Sequence, residues 1–296
     1  MRTVFVTGAS SAMGQRIVAK LCRDHRILAL VHRAPLSVEG ENIIPVTGDL
    51  LDPSSYAASV SQADVILHMA GLTHSQHAGA YEKVNHEGTS LLLSTCRKDQ
   101  RFIYISSRCI GASGGAYSHS KEKAEQAVMA HGLRYTIIRP SEIYGSKGGE
   151  GIDALIQLAL KYRVVVDFRW DGSVTYSPVS VDEFSGLMDR VVRRDIRGKA
   201  VYTVCNRAVY HAESIRAALE ESLQRRVFRL PVPVRLLMNL QRFRFPLPFK
   251  RDQLARLVMS KSNNGHLVCE DYNFAPDDFL TFIKSQGSAL RGRMVA

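Results

Sequence analysis

No apolar run in this 296-residue chain approaches the ~20 residues that a membrane-spanning helix needs, so the sequence argues against an integral membrane protein. The amino terminus enters a strand-like stretch directly, without the basic and apolar regions of a signal peptide, and a cytoplasmic location is expected. Cysteine is sparse and odd in number: Cys22, Cys96, Cys109, Cys205 and Cys269 are scattered, with no Cys-x-x-Cys spacing. That pattern offers no disulfide framework and no metal site. It predicts reduced thiols, most of them buried as small hydrophobes. No internal repeat is found.

What is present is the composition of a globular protein, 45% hydrophobic and 23% charged, long enough for one large domain or for a core domain with a smaller one. Thirty-nine Lys and Arg against twenty-eight Asp and Glu leave a net charge of +11. Such an excess favours anionic partners. No nucleic-acid-binding motif accompanies it, so no specific nucleic-acid partner is expected. A phosphate-bearing cofactor and an anionic small-molecule substrate fit the charge, as does a broadly solvated basic surface.

The first fourteen residues carry the strongest local pattern. Residues 3–7 are short, apolar and β-branched, as a buried parallel strand should be. Gly8 breaks the run, and Ile17, Val18 and Leu21 then recur at helical spacing. A glycine turn between strand and helix aims backbone N–H groups and the positive helix end at one point, which suits a pyrophosphate. Gly8, Ser10, Ser11, Ala12, Met13 and Gly14 are the candidate contacts. Serine stands at position 11, where a three-glycine dinucleotide turn would have its middle glycine, and its hydroxyl is a candidate phosphate donor.

Strand and helix then alternate. Strands are read at 26–31, 42–46, 64–69, 101–105 and 134–138, with helices at 81–98 (Val84, Leu91, Leu92 and Cys96 inward) and 117–129 and a flexible loop at 111–115. Six strands alternating with helices predict an α/β fold, a Rossmann-type doubly wound parallel sheet whose ligand lies off the carboxyl ends of its strands. Gly8, Arg33, Asp49, Leu50, Ala70, Gly71, Ser107 and Pro140 all fall at or near such ends. The second strand ends in His32-Arg33 and offers no acid until Glu39. An acid there would bind an adenosine ribose and favour NAD, whereas an arginine can pair with a 2′-phosphate and favour NADP. NADP is therefore the first expectation and NAD the second. Asp49 reads either as an adenine contact or as a turn aspartate, and His68 as a satisfied core histidine. Asn85 reads as exposed or as holding a strand or water near the site.

Tyr117-Ser-His-Ser-Lys121 is the sharpest chemical pattern. Residues four apart share a helix face. An ammonium beside a phenol stabilises the phenolate, so Tyr117 can exchange a proton with a substrate oxygen. Ser107, at the neighbouring strand end, can donate to the same oxygen. The ordered set of Thr7–Gly14, Gly48-Asp49-Leu50, His68–Gly71, Asn85 with Gly88-Thr89, Ser106-Ser107, Tyr117-x-x-x-Lys121 and Arg139–Gly145 resembles the extended short-chain dehydrogenase/reductases. The likeness is nearest to their NAD(P)-dependent epimerase/dehydratase group, which handles nucleotide sugars. It covers about residues 1–190. It implies that Tyr117 is the acid/base, Lys121 its partner and Ser107 the third member, with Asp49 at the adenine and Pro140 beside the nicotinamide. The stretch from Ser107 to Tyr117 is short for a sugar-nucleotide epimerase.

These readings lead to an NAD(P)-dependent oxidoreductase or epimerase acting on a nucleotide sugar or a similar hydroxyl or ketone substrate. The first form is an NADPH-dependent keto reductase, the second an epimerase or dehydratase that retains NAD. A non-catalytic dinucleotide-binding accessory or redox sensor is the alternative of another class. Residues 1–145 are expected to form the dinucleotide-binding core and 146–296 mostly the substrate-binding region, with about 174–205 returning to the core. A glycine-rich linker is read at 146–151, strands at 164–168, 174–179 and 201–204, and helices at 152–161, from 181 and at 211–223. Residues 225–256 hold nine Arg or Lys and one acid, Asp252, interleaved with Leu, Pro and Phe. The segment reads as a lid, a peripheral membrane patch, a substrate-phosphate clamp or an ordinary helix with snorkelling arginines. The last ten residues are expected to fray, and a homodimer is left open.

Overall fold

In a computed structural model, residues 1–146, 151–242, 251–259 and 264–295 are described. The chain opens with β1 (Thr3–Thr7), α1 (Ala12–Leu21), β2 (Arg26–Val31), β3 (Ile43–Thr47), α2 (Ala57–Val60) and β4 (Val65–His68). Then come α3 (Ala78–Tyr81), a π-helical turn (Glu82–Glu87), α4 (Gly88–Ser94), β5 (Arg101–Ile105), α5 (Gly115–Ala130) and β6 (Arg134–Pro140). The later elements are β7 (Ile143–Tyr144), α6 (Gly151–Tyr162), β8 (Val164–Arg169), β9 (Val179–Ser180), α7 (Val181–Arg193) and β10 (Lys199–Val204). The chain ends with α8 (Ala212–Leu223), β11 (Phe228–Pro233), α9 (Val234–Arg242), α10 (Arg251–Val258), α11 (His266–Tyr272) and α12 (Phe279–Val295).

Seven strands form one parallel sheet in the order β10-β6-β5-β4-β1-β2-β3. The central strands β1, β4 and β5 are apolar on both faces because both faces are covered there, whereas the edge strand β3 is largely exposed. Side chains alternate along each strand. Val4 and Val6 thus enter the core under α1 and α7, with Ile17, Val18, Leu21, Leu187 and Val191. Phe5 enters the opposite core with Tyr56, Leu92, Phe102 and Ala124. The chain runs outward from β1 through β2 and β3 and then returns to its other side at β4. A crevice therefore opens where the order reverses, at the carboxyl ends of β1 and β4. A separate apolar core joins α6, β8, α8 and α12 through Ile156, Phe168, Leu219, Phe279 and Ile283. There β8 and β11 pair as a two-stranded parallel sheet.

Several local expectations need correction. The helix read at 81–98 is three pieces. The π turn at 82–87 inserts an extra residue per turn and re-aims the helix face. Asn85, Thr89, Leu92 and Leu93 point inward, while Val84, Leu91 and Cys96 are only half-buried. The strand read at 174–179 is confined to Val179–Ser180. Before it, Tyr176 makes only an isolated bridge to Tyr210.

Residues 111–115 are not a loose loop: a 3-10 turn at Ala112–Gly114 leads into α5. A Cβ at Gly114 would stand 2.2 Å from Met259 Sδ, and one at Gly115 2.6 Å from Asp252 Oδ1. Those glycines serve close approach rather than flexibility. The last ten residues, as far as Val295, continue α12 rather than fray. That helix packs on α8, where a Cβ at Gly287 would fall 2.0 Å from Ser222 Oγ. Part of the basic segment is strand β11, and two of the segment's arginines face acids: Arg229 lies near Asp167 and Glu213, and Arg235 of α9 pairs with Asp171. Residues 243–250 of that segment and 147–150 of the glycine-rich linker lie outside the described residues.

Candidate active site

The turn after β1 is built on two glycines and a serine. Gly8 takes a φ of +73°, and a Cβ there would stand 2.6 Å from Ala70 N on the β4 side. A Cβ at Gly14 would stand 2.1 Å from Gly8 O. Both positions exclude any side chain. Ser11 is the N-cap of α1. Its hydroxyl donates to Gly8 O (2.9 Å) and accepts from Gly14 N (3.0 Å). The hydroxyl expected to reach a phosphate is thus spent inside the turn, fastening the helix start to the strand end. The N–H groups of Ala12 and Met13 belong to the first helical turn, where no intrahelical carbonyl precedes them. Ser10 Oγ is buried without a partner. A glycine-floored cradle at a helix N-terminus with an unused hydroxyl fits a pyrophosphate.

Farther along the same edge, Arg33 is exposed just past β2. Asp49 follows β3 and takes the turn role: its Oδ1 accepts from Leu51 N (3.0 Å), while its Oδ2 lies 3.5 Å from His32 Nε2. Leu50 is buried, and its carbonyl accepts from Tyr56 Oη at 3.1 Å. Because β2 and β3 lie successively outward from β1, these residues flank the outer side of the crevice.

The reactive end lies on the other side of β1. Tyr117 stands on the first turn of α5, and its phenol is buried. Burial raises its pKa above the usual phenol range, and the nearby Arg256 guanidinium and Ser107 hydroxyl offset that rise only in part. Ser107 Oγ also accepts from Cys109 N at 3.1 Å. Ser106 Oγ is buried without a partner at the end of β5. Lys121, one turn beyond Tyr117, donates from Nζ to Ile105 O (2.8 Å) and lies 4.2 Å from the centre of the Tyr104 ring. Burial lowers its pKa to about 7, opposed by Glu125. Nζ would be 3.7 Å from a Cβ at Gly71, so Lys121 faces the end of β4. Pro140 ends β6, paired across to Val204 of β10.

Behind this site runs a chain of polar groups. Ala70 N donates to Thr7 Oγ1 (3.1 Å), which is 2.6 Å from His68 Nδ1; His68 Nε2 lies 2.9 Å from Thr89 Oγ1, which donates to Asn85 O at 2.5 Å. With Thr89 donating onward and Thr7 donating to Nδ1, His68 is assigned as neutral with its proton on Nε2. Burial lowers its pKa to about 3, the behaviour of a satisfied core histidine. Asn85 is buried. Its Oδ1 accepts from Leu72 N (2.6 Å), and its Nδ2 donates to Leu72 O (3.1 Å) and Ser120 Oγ (2.9 Å).

The arrangement thus brings Gly8, Ser10, Ala12, Met13, Gly14, Ala70, Gly71, Ser107, Tyr117 and Lys121 around one crevice. Arg33, Asp49 and Leu50 fall on its outer flank and Pro140 on its inner one. Two neighbours of Tyr117 had no signal in the sequence pattern near it. Tyr81 stands edge-on to its ring (6.0 Å between centroids), and Arg256 lies 4.3 Å from its centre. Tyr81 is 36 residues before Tyr117 and Arg256 is 139 after it, so only the fold could bring them together.

Comparison with known proteins agrees with this geometry. The NAD(P)H-binding family matches over residues 8–156. Ceramide reductase of Caulobacter vibrioides is 32% identical over 55% of this chain, and the match spans only 52% of that protein. A decarboxylating sterol-4-alpha-carboxylate 3-dehydrogenase of Candida albicans is 24% identical over 81% of each chain. Among solved structures, UDP-glucuronic acid 4-epimerase of Bacillus cereus, in complex with UDP-glucuronic acid and NAD, superposes with a TM-score of 0.75 over 99% of both chains at 15% identity. That last likeness concerns the fold. With the family match covering half the chain, and the seven-stranded sheet and crevice in place, the protein belongs to the NAD(P)H-binding family.

Proposed function

We propose that this protein is an NAD(P)-dependent oxidoreductase that interconverts a ketone and a secondary alcohol, and that its leading form is an NADPH-dependent keto reductase. The observation that carries this is the placement of Tyr117. It stands on the first turn of α5 with its phenol buried, near Ser107 at the end of β5, and Lys121 one turn on faces the end of β4 next to the glycine turn. A nicotinamide bound in the crevice supplies or accepts the hydride. Ser107 and Tyr117 orient the substrate oxygen between them. In the reductive direction Tyr117 gives its phenolic proton to the carbonyl oxygen as it becomes a hydroxyl, and in the oxidative direction its phenolate takes that proton back. Lys121 sits where it can hold the nicotinamide ribose.

In this reading residues 1–145 hold the cofactor. Most of 146–296 builds the substrate side, with about 174–205 returning to the core. An anionic substrate such as a nucleotide-linked sugar is consistent with the net charge of +11. Arg33 supports NADP over NAD. The fold neighbour that carries UDP-glucuronic acid and NAD favours a second reading, an epimerase or dehydratase that keeps its cofactor.

The test is Tyr117→Phe assayed against nucleotide-linked keto sugars and apolar ketones, following the absorbance of reduced nicotinamide. Turnover should fall by about 10²–10⁴-fold with NADPH affinity unchanged. A variant that retains turnover defeats the reading. Arg33→Asp should weaken NADPH binding and leave NADH binding in place. Oxidised NAD released on denaturation of the purified protein, with no net consumption of NADPH, would favour the second reading.

A further inference from the structure

The basic segment delivers one arginine onto the reacting tyrosine. Arg256 lies on the last turn of α10 with its guanidinium 4.3 Å from the centre of the Tyr117 ring. It is fixed there from several sides. Its Nε donates to Asp252 O (3.3 Å) and its Nη2 to Thr73 O (3.5 Å), while its own carbonyl accepts from Cys109 Sγ at 3.8 Å. The seat under α10 is shaped to receive it. Gly114 and Gly115 at the start of α5 leave room for Met259 and Asp252, which any side chain there would occupy. Ser118 Oγ reaches Met259 Sδ at 3.9 Å. Leu254 is fully buried on the other side of the helix.

Among the described residues, the other charged and titratable groups around Tyr117 do not supply this cation. Lys121, on the same helix, sends its ammonium to Ile105 O and the Tyr104 ring. Glu125 is paired with Arg139 of β6. In the π turn, Glu82 is held by Lys123 and His86. Tyr81 and Tyr104 offer neutral rings, the Cys109 thiol works against a phenolate, and Asp252 approaches Gly115. Arg256 is the guanidinium that lies against the Tyr117 ring, and its charge favours the ionised phenol.

We propose that Arg256 is a positioning residue of the catalytic centre: docked with α10 on the Tyr117 ring, it stabilises the phenolate that proton transfer leaves and makes Tyr117 competent only while α10 is seated. A cation a few ångströms from an ionising group favours its charged form, and a guanidinium keeps its charge throughout the working pH range. The basic segment thereby joins the substrate side of the protein to the proton-transfer step. The inference rests on Tyr117 being the acid/base, yet its test needs no substrate.

In the full-length chain carrying 3-chlorotyrosine at position 117, whose phenol ionises in an accessible range, the phenolate absorbance is titrated with NADPH present. Arg256→Gln should raise the midpoint by about one pH unit or more, and Arg256→Lys by less. A cooperative thermal melt with the far-ultraviolet circular dichroism of the parent reports that each variant is folded. Should Arg256→Gln fail to fold, Arg256→Lys carries the test, with a smaller rise expected. A folded variant that titrates as the parent does, whether Arg256→Gln or Arg256→Lys standing alone, overturns the proposal. Loss of turnover in Tyr117→Phe bears on the proposed function and leaves this titration unaffected.

Discussion

Lys121 shows how much of a site one residue's position decides and how much its surroundings do. Its spacing from Tyr117 is legible in the sequence, because residues four apart share a helix face. The direction of its ammonium is not, since that depends on a carbonyl of β5 and a ring of the same strand. Burial lowers its pKa from 10.5 to about 7. Below pH 7 the folded protein therefore carries a buried charge that the unfolded chain would hold in water, and this costs stability. Between about pH 7 and 10.5 the folded form has released the proton and the unfolded form still binds it, so stability rises with pH, by up to about 1.4 kcal/mol per unit. Lys121→Met removes that dependence. In denaturant titrations across pH 6 to 10, Lys121→Met should gain on the parent at the acid end and lose the advantage toward the alkaline end. A stability difference that does not change with pH would mean that the ammonium is not desolvated in the folded chain. Ser11 teaches a related lesson. The residue is readable as a departure from a three-glycine turn, but its role as the cap of α1 depends on Gly8 O and Gly14 N.

Among elements, strands were far more legible than the helix after β4. The strands of the main sheet are short apolar runs closed by Gly, His-Arg, Ser-Ser or Arg-Pro, and a run buried on both faces declares itself. The π turn at 82–87 leaves no such mark, and of the four positions that a reading at 3.6 residues per turn turned inward only Leu92 is buried, while Val84, Leu91 and Cys96 are half-buried. The turn places Asn85 between the loop after β4 and α5, where it holds Leu72 N and O and Ser120. Asn85→Leu keeps the branched heavy-atom skeleton but removes the hydrogen bonds to Leu72 N, Leu72 O and Ser120 Oγ. It should destabilise the protein by at least about 2 kcal/mol and loosen the crevice, with weaker NADPH binding in fluorescence titrations. Asn85→Leu that matches the parent in both melting and binding would show that water replaces the amide without loss. The short elements around β11, α9 and α10 were equally unreadable, because a run of Arg, Leu and Pro fits a lid, a membrane patch or a core helix, and only contacts with β8 and α5 choose among them.

At the scale of the molecule, a net charge of +11 admits two physical outcomes. Much of the arginine is already spent on internal pairs: Arg197 with Asp271, Arg216 with Glu213 and Glu220, Arg193 with Asp24 and Asp189. Pairs of that kind at the surface add little to stability and little to the distant field. The unbalanced remainder does act at a distance, and the crevice is where an anion would feel it. Arg33 lies exposed on its β2 flank, while the first turn of α1 contributes its positive end and carries no acidic residue. A dinucleotide phosphate approaching that edge is therefore steered rather than captured by chance. Screening removes steering first, since the Debye length shrinks from about 30 Å at 0.01 M salt to about 10 Å at 0.1 M. Close contacts in the glycine turn survive it. The association rate of NADPH in stopped-flow fluorescence should thus fall several-fold over that range, while its dissociation rate and the melting temperature of the free protein change little. An association rate indifferent to salt would assign the excess charge to the solvated surface and leave the glycine turn to bind the cofactor by contact alone.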